Sequence, residues 1–215
     1  MPTRTLIRGA AGSIEVAADV PASHSAIAVI AHPHPLFGGT MDNKVVTTLE
    51  RALRERGAAT FRFNFRGIGG TEGTHDEGRG EAEDMVAVIE HAKGVAGAKP
   101  LWIAGFSFGG AIAVRASLRV EFARLALVAP GFRRITAAGM GSPIDPRDPQ
   151  FGELGVHTHE NTFIVHGDLD ETVPLADSFA WATPREVPIV VIPGGEHFFH
   201  RKLHLLRDVV SRMTA

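Results

Sequence analysis

The sequence predicts an α/β protein whose central sheet, mostly parallel and of about eight strands, opens with an antiparallel hairpin and carries helices on both faces. Three observations predict it. Short runs rich in aliphatic and β-branched residues, punctuated by Gly, Pro and Asp, alternate with longer amphipathic stretches. Several of those runs are apolar almost throughout, as strands buried on both faces are. The first two runs are separated only by Gly9-Ala10-Ala11-Gly12, too short for a helical crossover, so they pair antiparallel.

In chain order the hairpin strands are Thr5 to Arg8 and Ile14 to Val20. The later strands, all free to run parallel, are Ala26 to Ala31, Ala59 to Phe65, Leu101 to Phe106, Arg124 to Ala129, Thr162 to His166 and Pro188 to Ile192. Val45, Leu49, Ala52 and Leu53 form one helical stripe that Gly57 can end, and Met85, Val88, Ile89 and Ala92 repeat the pattern before Gly94. A further helix begins near Gly109, and the last carries Leu203, Leu206, Val210 and Met213 on its inner face. The stretch from Phe132 to Glu160 is rich in Gly and Pro without a sustained period. It reads as an irregular excursion within one domain, residues 1–215, that has no separate lid domain.

Composition narrows the chemistry. With 22 Lys and Arg against 24 Asp and Glu, the net charge of −2 provides no long-range positive field to hold nucleic acid or an anionic membrane surface. Hydrophobic content of 44% with 21% charge is that of a chain that folds around a core. Zero cysteines exclude disulfides and thiolate chemistry, and zero tyrosines remove the phenol, so an enzyme of this sequence would attack with Ser, Thr, a carboxylate or a metal-bound water. The opening MPTRTLIRGAAG lacks the apolar core of a signal peptide, and the run Ile27 to Ala31 is far short of the roughly 20 residues that span a bilayer. The expectation is a soluble, cytoplasmic protein.

The most specific local signal is Gly105-Phe106-Ser107-Phe108-Gly109-Gly110, between the apolar run Leu101-Trp102-Ile103-Ala104 and the small-residue run Ala111-Ile112-Ala113-Val114. A serine that projects its hydroxyl from a tight strand-to-helix turn needs glycines around it, because β-carbons there would strike the neighbouring strand and helix. The turn reads as a nucleophile elbow. An acid and a base are then expected in the order Ser, Asp, His at the ends of later strands. His166-Gly167-Asp168-Leu169-Asp170-Glu171-Thr172-Val173-Pro174 follows one such strand, and Pro193-Gly194-Gly195-Glu196-His197-Phe198-Phe199 follows the next. Asp168, Asp170 and Glu171 compete for the acid; His197, His200 and His204 follow it, the last two at helical spacing.

With these segments, and with Ala31-His32-Pro33-His34-Pro35-Leu36-Phe37-Gly38-Gly39 and Phe63-Asn64-Phe65-Arg66-Gly67 after two earlier strands, the chain resembles the α/β-hydrolase superfamily along essentially its whole length. It is most similar to the small, lid-free bacterial serine hydrolases related to dienelactone-hydrolase-like esterases. The resemblance implies the α/β-hydrolase fold and a carboxylesterase-like cleavage of a small-molecule ester through an acyl-serine, with no cofactor. It places the nucleophile on Ser107, the acid on Asp170 and the base on His197. It also implies an oxyanion hole from the N–H of Phe108 and one N–H of the loop after the third strand, where Pro33 and Pro35 have none to give; of His34, Leu36 and Phe37, Leu36 is chosen. Dienelactone hydrolases proper often use a cysteine, absent here, so lactone specificity is not carried over.

Phe37, Phe106, Phe132 and Phe198 lie within a few residues of the catalytic segments and are expected to wall a substrate pocket. Two rival readings stand beside this one. His32 with His34, and His157 with His159, have the H-x-H spacing of metal ligands in a metal-dependent hydrolase, but neither pair has the following Asp or His that completes such a signature, so no metal is expected. The other rival is a catalytically silent fold that serves only to bind.

Overall fold

A computed structural model describes residues 2–133, 135–136, 139–140 and 153–214. The strands are β1 (Thr3–Gly9), β2 (Gly12–Asp19), β3 (Ala26–Ala31), β4 (Ala58–Phe63), β5 (Leu101–Phe106), β6 (Arg124–Val128), the small pair β7 (Ile135–Thr136) and β8 (Gly139–Met140), β9 (Thr162–Gly167) and β10 (Ile189–Ile192). The helices are α1 (Lys44–Glu55), α2 (Arg79–Ala96), α3 (Phe108–Ser117), α4 (Leu175–Ala182) and α5 (Leu203–Met213). Eight strands form the main sheet in the order β1-β2-β4-β3-β5-β6-β9-β10. The hairpin is as expected, with Ile7 opposite Ile14. β2 continues antiparallel to β4, and every pairing from β4 onward is parallel. This is the α/β-hydrolase fold.

Period-two alternation along β3 explains the layers. Ile27, Val29 and Ala31 face one core with α2 and α3, while Ala26, Ala28 and Ile30 face the other with α1 and α5. Because both faces are covered, β3 is buried at all six positions, which is why it reads as an uninterrupted apolar run. All these parallel strands end on one side of the sheet. The segments that follow β3, β5, β9 and β10 therefore meet there.

Three elements depart from expectation. The fourth strand stops at Phe63, since Asn64 turns its side chain to accept from Met41 N–H at 2.9 Å and donate to Glu15 at 2.8 Å. α2 runs through Gly94 and stops at Gly97, whose φ of 79° is a positive value that a side chain disfavours. α4 has no counterpart in the sequence reading, because Pro174 precedes it and LADSFAWA is too short to show a period. Of the expected excursion from Phe132 to Glu160, most lies outside the described residues. Among the described residues no helix is long and apolar enough to cross a membrane.

α3 sits unusually close to the sheet. A Cβ on Gly109 would collide with the Ala31 and His32 carbonyl oxygens, and one on Gly105 would collide with the Gly109 carbonyl. These neighbours are backbone and cannot swing away. Gly109→Ala is therefore expected to destabilise the fold by about 3 kcal/mol or more, at the severe end of overpacking effects. Urea unfolding checks it, and an unchanged midpoint would mean that α3 can lift from β3 at no cost.

Candidate active site

Ser107 occupies the turn between β5 and α3 at φ 55° and ψ −122°, a positive-φ conformation that a non-glycine residue holds only when its surroundings over-determine it. The surroundings do so with backbone bonds. Ser107 N–H donates to the Val128 carbonyl at 2.9 Å, and the Ser107 carbonyl accepts from Gly110 N–H at 2.9 Å and Gly131 N–H at 2.8 Å. This leaves the hydroxyl to face the loops that follow β9 and β10.

Those two loops are tied together by a bond from Leu169 N–H to the Gly195 carbonyl at 2.9 Å. They bring His197 Nε2 to 3.0 Å from Ser107 Oγ and His197 Nδ1 to 2.7 Å from Asp170 Oδ2. The other oxygen of Asp170 accepts from Thr172 N–H at 2.9 Å and Val173 N–H at 2.8 Å. Asp168 and Glu171, the competing carboxylates, are both exposed. His200 is paired with Glu196 at 2.8 Å, and His204 is exposed on α5. Burial alone would raise the proton affinity of Asp170; hydrogen bonds from His166 and His197, with the Val173 N–H, reverse this and hold it well below the usual carboxylate range. An ionised Asp170 accepts from Nδ1–H of His197, which leaves Nε2 as the acceptor facing the serine hydroxyl.

The loop after β3 departs from expectation. Pro35–Phe37 forms one short helical turn in which Leu36 N–H donates to His34 Nδ1 at 3.3 Å and Phe37 N–H donates to the His34 carbonyl at 3.1 Å. Leu36, expected as an oxyanion donor, has its N–H directed inside its own turn here, and its side chain is 66% exposed. His34 is buried against the Phe108 ring at 4.6 Å, which puts this loop beside the residue that follows Ser107. His75, which no sequence pattern singled out, lies 5.0 Å from the His34 ring with Nδ1 held 2.7 Å from the buried Glu81 carboxylate. Burial, reinforced by His75, pushes the His34 pKa down to about 4.

The histidine pairs do not act as pairs. His32 donates from Nδ1 to the Pro33 carbonyl at 2.6 Å and accepts at Nε2 from Phe65 N–H at 3.0 Å, so its one lone pair is already used to join the ends of β3 and β4. Burial pushes its pKa down to about 4. His157 is buried with Nε2 2.8 Å from Ser117 Oγ, whereas His159 is exposed.

The four phenylalanines divide. Phe37, 65% exposed, lies edge-on to His34, and Phe198, 42% exposed, lies edge-on to His197, so both stand at the mouth of the site. Phe106 and Phe132 do not. Phe106 is fully buried and packs behind the His197 ring at 4.9 Å, and Phe132 is buried in a stack on Trp181 at 4.9 Å. Their sequence neighbours reach the site, but the strand pleat and the α4 contact turn these two rings into the core.

The sheet, the positive-φ serine and its hydrogen-bonded histidine and aspartate define a hydrolase of the α/β class. The description "Serine aminopeptidase, S33" matches residues 23–144, more than half of the chain, and the chain belongs to that family of α/β hydrolases. A serine hydrolase "without lid" from Xanthomonas campestris is 33% identical, with a TM-score of 0.83 over 99% of this chain and 93% of that one. An α/β serine hydrolase homologue from Coxiella burnetii is 38% identical, with a TM-score of 0.83 over 99% of this chain and 97% of that one. An uncharacterised protein of Rickettsia prowazekii is 42% identical over 94 residues, a match that spans 43% of this chain and 40% of that protein.

Proposed function

We propose that this hydrolase cleaves small carboxylic esters through an acyl-enzyme on Ser107. The observation that supports this most is the unbroken line from Ser107 Oγ through His197 to Asp170, at 3.0 and 2.7 Å, on a turn that aims the hydroxyl outward. Ser107 attacks the ester carbonyl while His197 Nε2 takes its proton, and the same imidazole returns that proton to the leaving alcohol. Asp170 holds the Nδ1–H and stabilises the imidazolium. The oxyanion is received by the Phe108 N–H, at the first position of α3 where no intrahelical acceptor exists, and by the N–H of His34, since the Leu36 and Phe37 N–H groups of the same loop donate to His34 Nδ1 and the His34 carbonyl. Water then enters by the same route and frees the acid.

The substrate is small. Leu36, Phe37, Leu169 and Phe198 are exposed apolar side chains on the three segments that bear or adjoin the site, and among the described residues they offer a rim instead of a tunnel. Each methylene gains roughly 0.8 kcal/mol only while protein covers it. kcat/KM is therefore expected to peak on acyl chains of about two to six carbons and fall on longer ones. A series of p-nitrophenyl esters, with aminoacyl p-nitroanilides alongside and fluorophosphonate labelling of Ser107, tests the reading. Activity that climbs to palmitate would overturn the short-chain specificity. Anilide cleavage without ester cleavage would overturn the esterase, and absence of labelling would point to a silent fold.

A further inference from the structure

His166 lies near the end of β9, is fully buried and spends both ring nitrogens on the architecture of the site. Its Nε2 is 3.0 Å from the Val173 carbonyl and 3.3 Å from Asp170 Oδ2, the same oxygen that meets His197. Both neighbours are acceptors, so Nε2 carries the proton; it donates to the Val173 carbonyl and lies close to Asp170 Oδ2. Its Nδ1 is 2.8 Å from the hydroxyl of Ser178 on α4. A histidine retained for packing alone would be satisfied by the Val173 carbonyl and Ser178. The approach to Asp170 Oδ2 goes beyond that: two backbone N–H groups donate to Oδ1, His197 Nδ1–H donates to Oδ2, and the His166 Nε2–H lies close beside that same oxygen at 3.3 Å.

We propose that His166 is a positioning residue: its Nε2–H, set beside Oδ2, fixes the Asp170 carboxylate toward His197, so that the imidazole is held in line with Ser107. The inference rests on reading Ser107, His197 and Asp170 as nucleophile, base and acid. The acid limb of kcat/KM reports the couple as a unit. A donor removed from Asp170 leaves more negative charge for the imidazolium to pair with, and a more basic carboxylate. Both effects move the acid limb to higher pH. Among the described residues, the charged groups that adjoin those of the couple in sequence or contact are the Arg133–Asp177 pair at 2.7 Å beside Ser178, the Glu196–His200 pair at 2.8 Å beside His197, and the exposed Asp168 and Glu171. None of them is altered by a change at position 166.

The test compares two amides. His166→Gln can place an amide N–H near the position of Nε2, whereas His166→Asn ends near Nδ1 and cannot reach Asp170. His166→Asn is expected to lower kcat by about 10- to 100-fold, the scale of outer-shell partners of functional histidines, with KM little changed. Its acid limb is expected to rise by about one unit. His166→Gln is expected to recover most of the kcat and the native acid limb at a similar Tm. Equal kcat losses in both variants with an unmoved acid limb would reduce His166 to packing and overturn the inference. If His166→Asn does not fold, Ser178→Ala decides: a several-fold kcat loss at near-native Tm supports the inference, and a native kcat overturns it. Fluorophosphonate labelling of the unaltered chain separates the two levels. Without labelling the underlying triad reading fails; with it, a native profile in His166→Asn sinks only this inference.

Discussion

Ser107→Ala is expected to lower kcat on a short p-nitrophenyl ester by about a million-fold, the scale seen when a triad nucleophile is deleted. The fold should be retained. The turn is fixed by backbone bonds to Val128, Gly110 and Gly131, none of which uses the hydroxyl, and among the described residues the one side-chain bond lost is that to His197 Nε2. Alanine at φ 55° carries much the same backbone strain as serine, so stability is expected to stay within about 1 kcal/mol of native. A loss of rate can then be read as chemistry. What remains is the roughly 10³- to 10⁴-fold advantage over water supplied by the oxyanion donors and substrate binding. Purified variant and native chains assayed together, with fluorophosphonate titration of each, make the measurement. An alanine variant that keeps most of the native rate would remove Ser107 from the mechanism altogether.

The sheet and the serine turn were legible because each is carried by local pattern. Buried parallel strands such as β3 must be apolar on both faces, and the close approach of α3 to β3 and β5 leaves glycine as the residue that fits at 105 and 109. The chain order of serine, acid and histidine follows from the same topology, since only segments after parallel strands share one end of the sheet. Side-chain direction was less legible. Phe106 and Phe198 both adjoin a residue of the candidate site in sequence, yet one faces the core and the other the mouth, a difference made by the pleat of β5 and the loop after β10. Eliminating the prolines leaves His34, Leu36 and Phe37 as donors of the loop, and the turn that folds the Leu36 N–H onto His34 depends on a side-chain acceptor that spacing does not reveal. His166 was visible only as the first letter of a motif. Its contacts with Asp170 and Ser178 join β9, its following loop and α4, and α4 itself was too short to announce its period.

The sharpest discrimination among neighbouring carboxylates comes from Asp170→Asn, expected to lower kcat by about 10⁴-fold, against Asp168→Asn, expected to stay within a few-fold of native. Asparagine is nearly isosteric, so the loss must come from hydrogen-bond direction. In the native site one carboxylate oxygen accepts from Thr172 and Val173 N–H, at 2.9 and 2.8 Å, and the other accepts from His197 Nδ1. An amide has one oxygen and one NH₂. Two backbone donors that cannot turn away claim the oxygen, so the NH₂ must face His197. Nδ1 then becomes the acceptor, the ring proton moves to Nε2, and Nε2–H points at Ser107 Oγ, where a base is needed. The imidazole is left in the tautomer that cannot take the serine proton. His166 worsens the fit, since its Nε2–H would also meet the new NH₂ at the position of Oδ2. Asp168 is exposed and makes no such contact, so its amide changes only a solvated charge. Steady-state kinetics of the two variants against native decide the matter. A large loss at 168 with a mild one at 170 would shift the acid of the site by two residues.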